Sequence, residues 1–171
     1  MTDLPPAARL LREAPTRCHD AVVMDYDARL MRRKRLVTRD GAGFMVDLPE
    51  VTNLDAFWGF ELEDGRCIRI IPAEESVLVV TGDLPRLAWH IGNRHTPCQI
   101  EAGRLIIRED HVLERMLVGL GATIARAHLP FTPEGGAYGH GRTMGQSHGH
   151  DHAHAHTHDH AHDHAHAHSH D

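Results

Sequence analysis

Between residues 21 and 80 the apolar positions fall in short runs broken by turn residues, which is the signature of strands rather than helices. "AVVMDY" is the first such run. "RLVTRDGAGFMVDLP" places two more on either side of a Gly-containing turn at Asp40 to Gly43. "FELEDGRCIRII" sets two alternating runs around Asp64-Gly65, a dipeptide that favours the tight turn of a hairpin. "SVLVV" adds another apolar strand. The first half predicts a small β-domain.

The period then changes. In "GDLPRLAWHIGNRH", Leu84, Leu87, Ala88 and Ile91 recur at i, i+3, i+4 and i+7, one face of a helix. Asp83 is placed to cap it, Pro85 suits its first turn, and Gly92 and Asn93 tolerate the left-handed conformation that ends helices. "CQIEAGRLIIRE" predicts a hairpin turning at Ala102-Gly103. Asp110 caps "HVLERMLVGLG", whose core face is Val112, Leu113, Met116, Leu117 and Leu120, and "TIARAHLPF" is a last strand. Counting "SVLVV", the order is β-α-β-β-α-β, the split βαβ or ferredoxin-like arrangement. The expected fold class is α+β. A β-domain over residues 1–76 precedes a ferredoxin-like βαββαβ domain over 77–133, and a Gly-rich linker and histidine-rich tail fill 134–171.

That tail alters the picture most. Residues 147–171 read "SHGHDHAHAHTHDHAHDHAHAHSHD". A period of two resembles a strand, but the residues between the histidines are small or acidic, so neither face would join a core. The prediction is disorder, because nothing offsets the entropy of ordering. Chemically the tail is a metal trap. Neutral imidazole is the commonest metal ligand. His148, His150, His152, His154, His156, His158, His160, His162, His164, His166, His168 and His170 offer twelve of them on one tether. Nitrogen-rich sites suit Ni(II), Cu(II) and Zn(II), so the stretch signals capture without naming the metal. Its mixed repeat differs from the uniform run of a purification tag.

Composition narrows the remaining classes. Formal net charge is −6, and four tail carboxylates (Asp151, Asp159, Asp163, Asp171) carry −4 of it, so the folded part is near neutral and nucleic-acid binding is not favoured. Three cysteines at irregular spacing, Cys18, Cys67 and Cys98, give no disulfide framework and no zinc knuckle. The first residues have no apolar core of signal-peptide length and no stretch approaches a membrane span, so a cytoplasmic protein is expected. H-E-x-x-H, G-x-S-x-G and P-loop motifs are absent, which argues against an enzyme.

The folded half carries its own candidates. His90 falls in the last turn of a helix, where a histidine commonly serves the helix dipole. His95 lies just past that helix on a loop, where side chains are displayed rather than packed. Cys98 follows three residues later, so a His-x-x-Cys pair is geometrically open, although free cysteine is often only a small hydrophobe. His111 sits beside a predicted cap and reads as a surface residue, His128 as a structural strand residue, and the "RRKR" run at Arg32 to Arg35 as the solvated part of a strand.

"WHIGNRHTPCQ", "EDHVLERMLVGLGA" and "PFTPEGGAYGHG", in that order before a histidine-rich C-terminus, resemble the urease accessory protein UreE family, and "RLMRRKR" with the two hairpins resembles its N-terminal half. The resemblance covers essentially the whole chain. It implies a nickel metallochaperone, a homodimer that supplies Ni(II) for the urease active site through the urease-activating GTPase and the apo-urease maturation complex. It implies a peptide-binding-like N-terminal domain and a ferredoxin-like domain that dimerises. By the same resemblance His95 is the principal nickel ligand at the dimer interface, His90 and His111 are auxiliary, and tail histidines complete or feed the site. Cys98 stands where an aliphatic residue is expected, which opens a sulfur ligand or copper binding, and "FWGFELEDGR" is more aromatic than the family pattern. The competing reading is a histidine-rich buffer for Zn(II), Cu(II) or Ni(II) with no dedicated client.

Overall fold

The computed structural model describes residues 3–135; the tail and most of the linker, and hence His148 to His170, lie outside the described residues. Ten strands and two α-helices follow in the order β1 (Ala7–Leu11), β2 (Asp20–Met24), β3 (Leu30–Val37), β4 (Gly43–Asn53), β5 (Gly59–Leu62), β6 (Cys67–Pro72), β7 (Glu74–Thr81), α1 (Leu84–Gly92), β8 (Gln99–Glu101), β9 (Arg104–Arg108), α2 (His111–Gly119) and β10 (Thr123–Pro130). The described residues are thus mixed α+β, strand-rich with two α-helices.

The first six strands form a four-stranded sheet, β1-β5-β6-β2, and a β3-β4 hairpin. The inward residues of both, including Val22, Leu36, Phe44, Val46, Phe60 and Ile68, share one apolar core. Alternation along the start of β4 places Phe44 and Val46 inside, beside Leu36 of β3, while Arg32 to Arg35 are all exposed, so that stretch of β3 is solvated on both faces. Arg33 meets Asp47 and Arg35 meets Asp3. Gly65, at φ +82°, makes the β5-β6 turn that its sequence signals. Gly59 is glycine for a second reason: a Cβ there would stand 2.2 Å from the Ile68 carbonyl oxygen.

One strand was not expected. β1 follows Pro5 and Pro6, is short and lacks alternation, so only its partner β5 makes it a strand.

The second half has the order β-α-β-β-α-β, with an antiparallel sheet β10-β7-β9-β8. Alternation divides its strands between two faces. Leu78, Val80, Leu105 and Ile107 pack on Leu87 and Ile91 of α1 and on Leu113 and Leu117 of α2. Val77 and Ile106 face the other way, against Tyr26 and Phe131. The α2 face differs from expectation at one position. Val112 is exposed, because Leu113, Met116, Leu117 and Leu120 alone complete the stripe toward the sheet.

The two halves meet at a buried arginine. Arg29 is 1% exposed. Its Nε donates to Asp55 Oδ1, its Nη1 to the Met24 carbonyl at 2.9 Å and its Nη2 to the Phe131 carbonyl at 2.5 Å. The Tyr26 and Phe131 rings meet edge to face with centroids 5.4 Å apart, and Arg108 pairs with Asp27. No helix among the described residues is long and apolar enough to cross a membrane.

Candidate metal site

His95 owes its position to the way α1 ends. Asp83 accepts a hydrogen bond from the Arg86 amide and Pro85 occupies the first turn, as the sequence predicts. The left-handed residue does not fall where expected. Asn93 is right-handed, at φ −63°, and Gly92 is the last residue of the helix. The turn continues to His95, at φ +55°, the one non-glycine residue with positive φ among the described residues. The His95 amide donates to the Gly92 carbonyl at 2.9 Å and the Thr96 amide to the Ile91 carbonyl at 3.4 Å. This pair of bonds is a Schellman closure, with His95 in the place usually held by glycine. An L-residue there costs roughly 1–2 kcal/mol, yet the imidazole is held exposed on a short, hydrogen-bonded loop.

His90 is half-buried one turn earlier, with its ring edge-on to Trp89 at a centroid distance of 4.9 Å. Trp89 itself is 65% exposed. His111 is the first residue of α2 and exposed, next to Asp110, which caps the helix through the Val112 and Leu113 amides. His128 is also exposed, on β10, with Nε2 3.2 Å from Ser76 Oγ. Among the described residues no three His, Cys, Asp or Glu side chains gather into a group that would hold an ion. His90, His95, Cys98 and His111 are therefore not assembled into one three-ligand cluster within the described chain.

Cys98 sits differently from the histidines. It is half-buried against the helix-side core of the second half. Burial, with a smaller contribution from the Glu134 carboxylate, pushes its thiol up to about 11. A thiol that ionises near pH 9 when unfolded and near 11 when folded holds its proton longer in the native state. Its contribution is complete below pH 9 and lost as pH rises through 11. We expect the unfolding free energy to fall by about 2 kcal/mol more in wild type than in Cys98→Ala between pH 8 and pH 11. Urea unfolding at the two pH values measures it; parallel pH curves for the two proteins would refute it.

Two residues with a structural role carry no signal in composition or periodicity. Gln99 is inside the "HTPCQ" stretch, but its role depends on a distant segment: its Oε1 accepts from the Thr132 amide at 2.9 Å. Arg29 resembles any other strand-flanking arginine until Phe131 is packed against it.

Comparison with known proteins identifies the class. The model of the UreE urease accessory protein N-terminal domain matches residues 1–73, and that of the UreE urease accessory protein C-terminal domain matches residues 75–171. The Rhodobacter capsulatus urease accessory protein UreE is 66% identical over 126 residues, 74% of this chain and 81% of that protein. The Cereibacter sphaeroides protein of the same name is 59% identical over 147 residues, 85% of this chain and 81% of its own length. That of Paracoccus denitrificans is 60% identical over 140 residues, 82% and 90% of the two chains. These relatives are accessory proteins rather than catalysts, which is the class an exposed, loop-borne imidazole on a two-part α+β scaffold fits. The chain belongs to the UreE family of urease accessory proteins.

Proposed function

We propose that the protein is a nickel metallochaperone that captures Ni(II) and delivers it for assembly of the urease active site. In this reading the second half is a ferredoxin-like domain over residues 77–133 that forms a homodimer, and residues 1–76 are the peptide-binding-like partner domain. The receivers are the urease-activating GTPase and the apo-urease maturation complex, in the cytoplasm.

The observation that carries the reading is His95, held exposed in a left-handed backbone conformation in a chain of the UreE family. At a two-fold axis each residue appears twice, so one His95 per chain supplies two imidazoles. Both elements that flank the His95 loop leave a large apolar side chain exposed, Trp89 on α1 and Ile100 on β8, which suits burial against a second copy. Two imidazoles make an incomplete shell for nickel, which takes further nitrogen and oxygen donors. His90, His111 and the tail imidazoles are the candidates to complete it. Cys98 would have to ionise against its burial, so it is the least favoured donor of the set. Few rigid ligands with exchangeable ones permit ligand-by-ligand transfer, which a closed thiolate site would resist.

Calorimetric titration with Ni(II) and Zn(II), with mass measured alongside, tests this. A chain ending at Gly145 should bind fewer ions than the full chain but keep a dimer-interface site. A truncated protein that binds no Ni(II) would reject the two-site reading in favour of a tail that merely buffers metal.

A further inference from the structure

β3 is the outer strand of its hairpin. Among the described residues it pairs with β4 alone. The opposite side of the hairpin is partly covered: the Leu4 amide donates to the Gly43 carbonyl at 2.7 Å, and Asp3 bridges to the same residue. Along β3 no described segment takes that place. Alternate residues of this eight-residue strand therefore turn N–H and C=O groups outward without a ladder partner.

The polar side chains of this strand have one sign. Arg32, Arg33, Lys34 and Arg35 are all exposed, in a chain whose formal net charge is −6. Arg33 and Arg35 are matched by Asp47 and Asp3. Arg32 and Lys34, two residues apart, have no carboxylate partner among the described residues. Leu30 and Val37, both exposed, close the two ends of the strand.

These features select an occupant. A second copy of β3 would set like charges against each other, which repels. A bilayer or a nucleic acid supplies anions but no extended backbone to fill the edge. An extended peptide with carboxylates at alternate positions supplies both, because its acidic side chains fall on one face at the spacing of Arg32 and Lys34.

We propose that the open edge of β3 is a docking site for an extended acidic segment of another protein, added as a further strand with its carboxylates facing Arg32 and Lys34. The proposal rests on the peptide-binding reading of residues 1–76 above and is independent of nickel. Main-chain hydrogen bonds supply affinity, and the two unmatched cations supply the choice of partner.

The probe is a fluorescent eight-residue peptide alternating Glu and Val, titrated into the full-length chain and followed by anisotropy, with amide hydrogen exchange alongside. It should bind and slow exchange along residues 30–37. A twin with Lys in place of Glu should not bind. Arg32→Glu combined with Lys34→Glu changes two exposed side chains, and should weaken the Glu peptide about tenfold. Two further peptides carry N-methyl groups on alternate amides, one set on Glu and one on Val. The version blocked toward β3 should lose about tenfold, while the version blocked on its far side keeps its affinity. Equal affinities of the two methylated peptides would overturn the added strand, and so would unchanged binding by the double variant. Displacement of the peptide from β3 by phosphatidylserine vesicles or duplex DNA at lower concentrations than unlabelled peptide would assign the edge to those partners instead. Protection elsewhere in residues 3–73 would reject the β3 edge and leave the peptide-binding reading standing; failure of every peptide to bind would end both.

Discussion

Replacing Arg29 by methionine is expected to lower the unfolding free energy by about 3–5 kcal/mol. The side chain is 1% exposed and satisfies three acceptors at once: Asp55 Oδ1 and the carbonyls of Met24 and Phe131. A methionine fills much of the volume but donates to none of them. The Phe131 carbonyl loses the Arg29 donor, the Met24 carbonyl keeps only the Ala73 amide at 2.8 Å, and Asp55 loses its cation, and polar groups stripped of a partner in the interior carry their full desolvation cost. The loss is larger than for the exposed pairs, such as Arg33 with Asp47, where solvent screens both charges and little change is expected. Thermal and urea unfolding measure it. A change below about 1 kcal/mol would mean that the guanidinium is not what joins the Phe131 segment to the first half.

His95→Gly is expected to separate stability from function. Glycine occupies the left-handed region freely, so this variant should be about 1 kcal/mol more stable than His95→Ala, which keeps the strain of φ +55° without the imidazole. Both should fail to activate urease at limiting nickel, and by a wider margin than loss of the tail. If His95→Gly is no more stable than His95→Ala, the strained closure of α1 is wrong. Equal activation by wild type and either variant would remove His95 from delivery. A more stable protein that no longer delivers metal would show why evolution tolerates a histidine in a glycine position.

The reach of the sequence is best judged at this same helix end. Its Asp83 cap, Pro85, the Leu87 and Ile91 face and the need for a left-handed closure were all legible, because each is set by residues within one or two turns. Which residue takes the left-handed place was not. Gly92 and Asn93 suit it locally, yet the chain turns at His95, where the Gly92 and Ile91 carbonyls close the motif. Val112 shows the same limit on α2: it fits the periodic stripe, but the sheet covers only the narrower face around Leu113 and Leu117.

By itself, then, the sequence determined the turns, the helix starts, the alternation that assigns each strand two faces, the β-α-β-β-α-β order and, through its motifs, the family. These are local or near-local properties, decided by spacing and by the φ and ψ that each residue tolerates. Only the tertiary structure decided that "AARLL" is a strand, that Arg29 is interior rather than solvated, and that Gln99 reaches Thr132 across the sheet. Each depends on a partner tens of residues away, supplied by packing, and hydrogen bonds of that range leave no periodic trace in the chain.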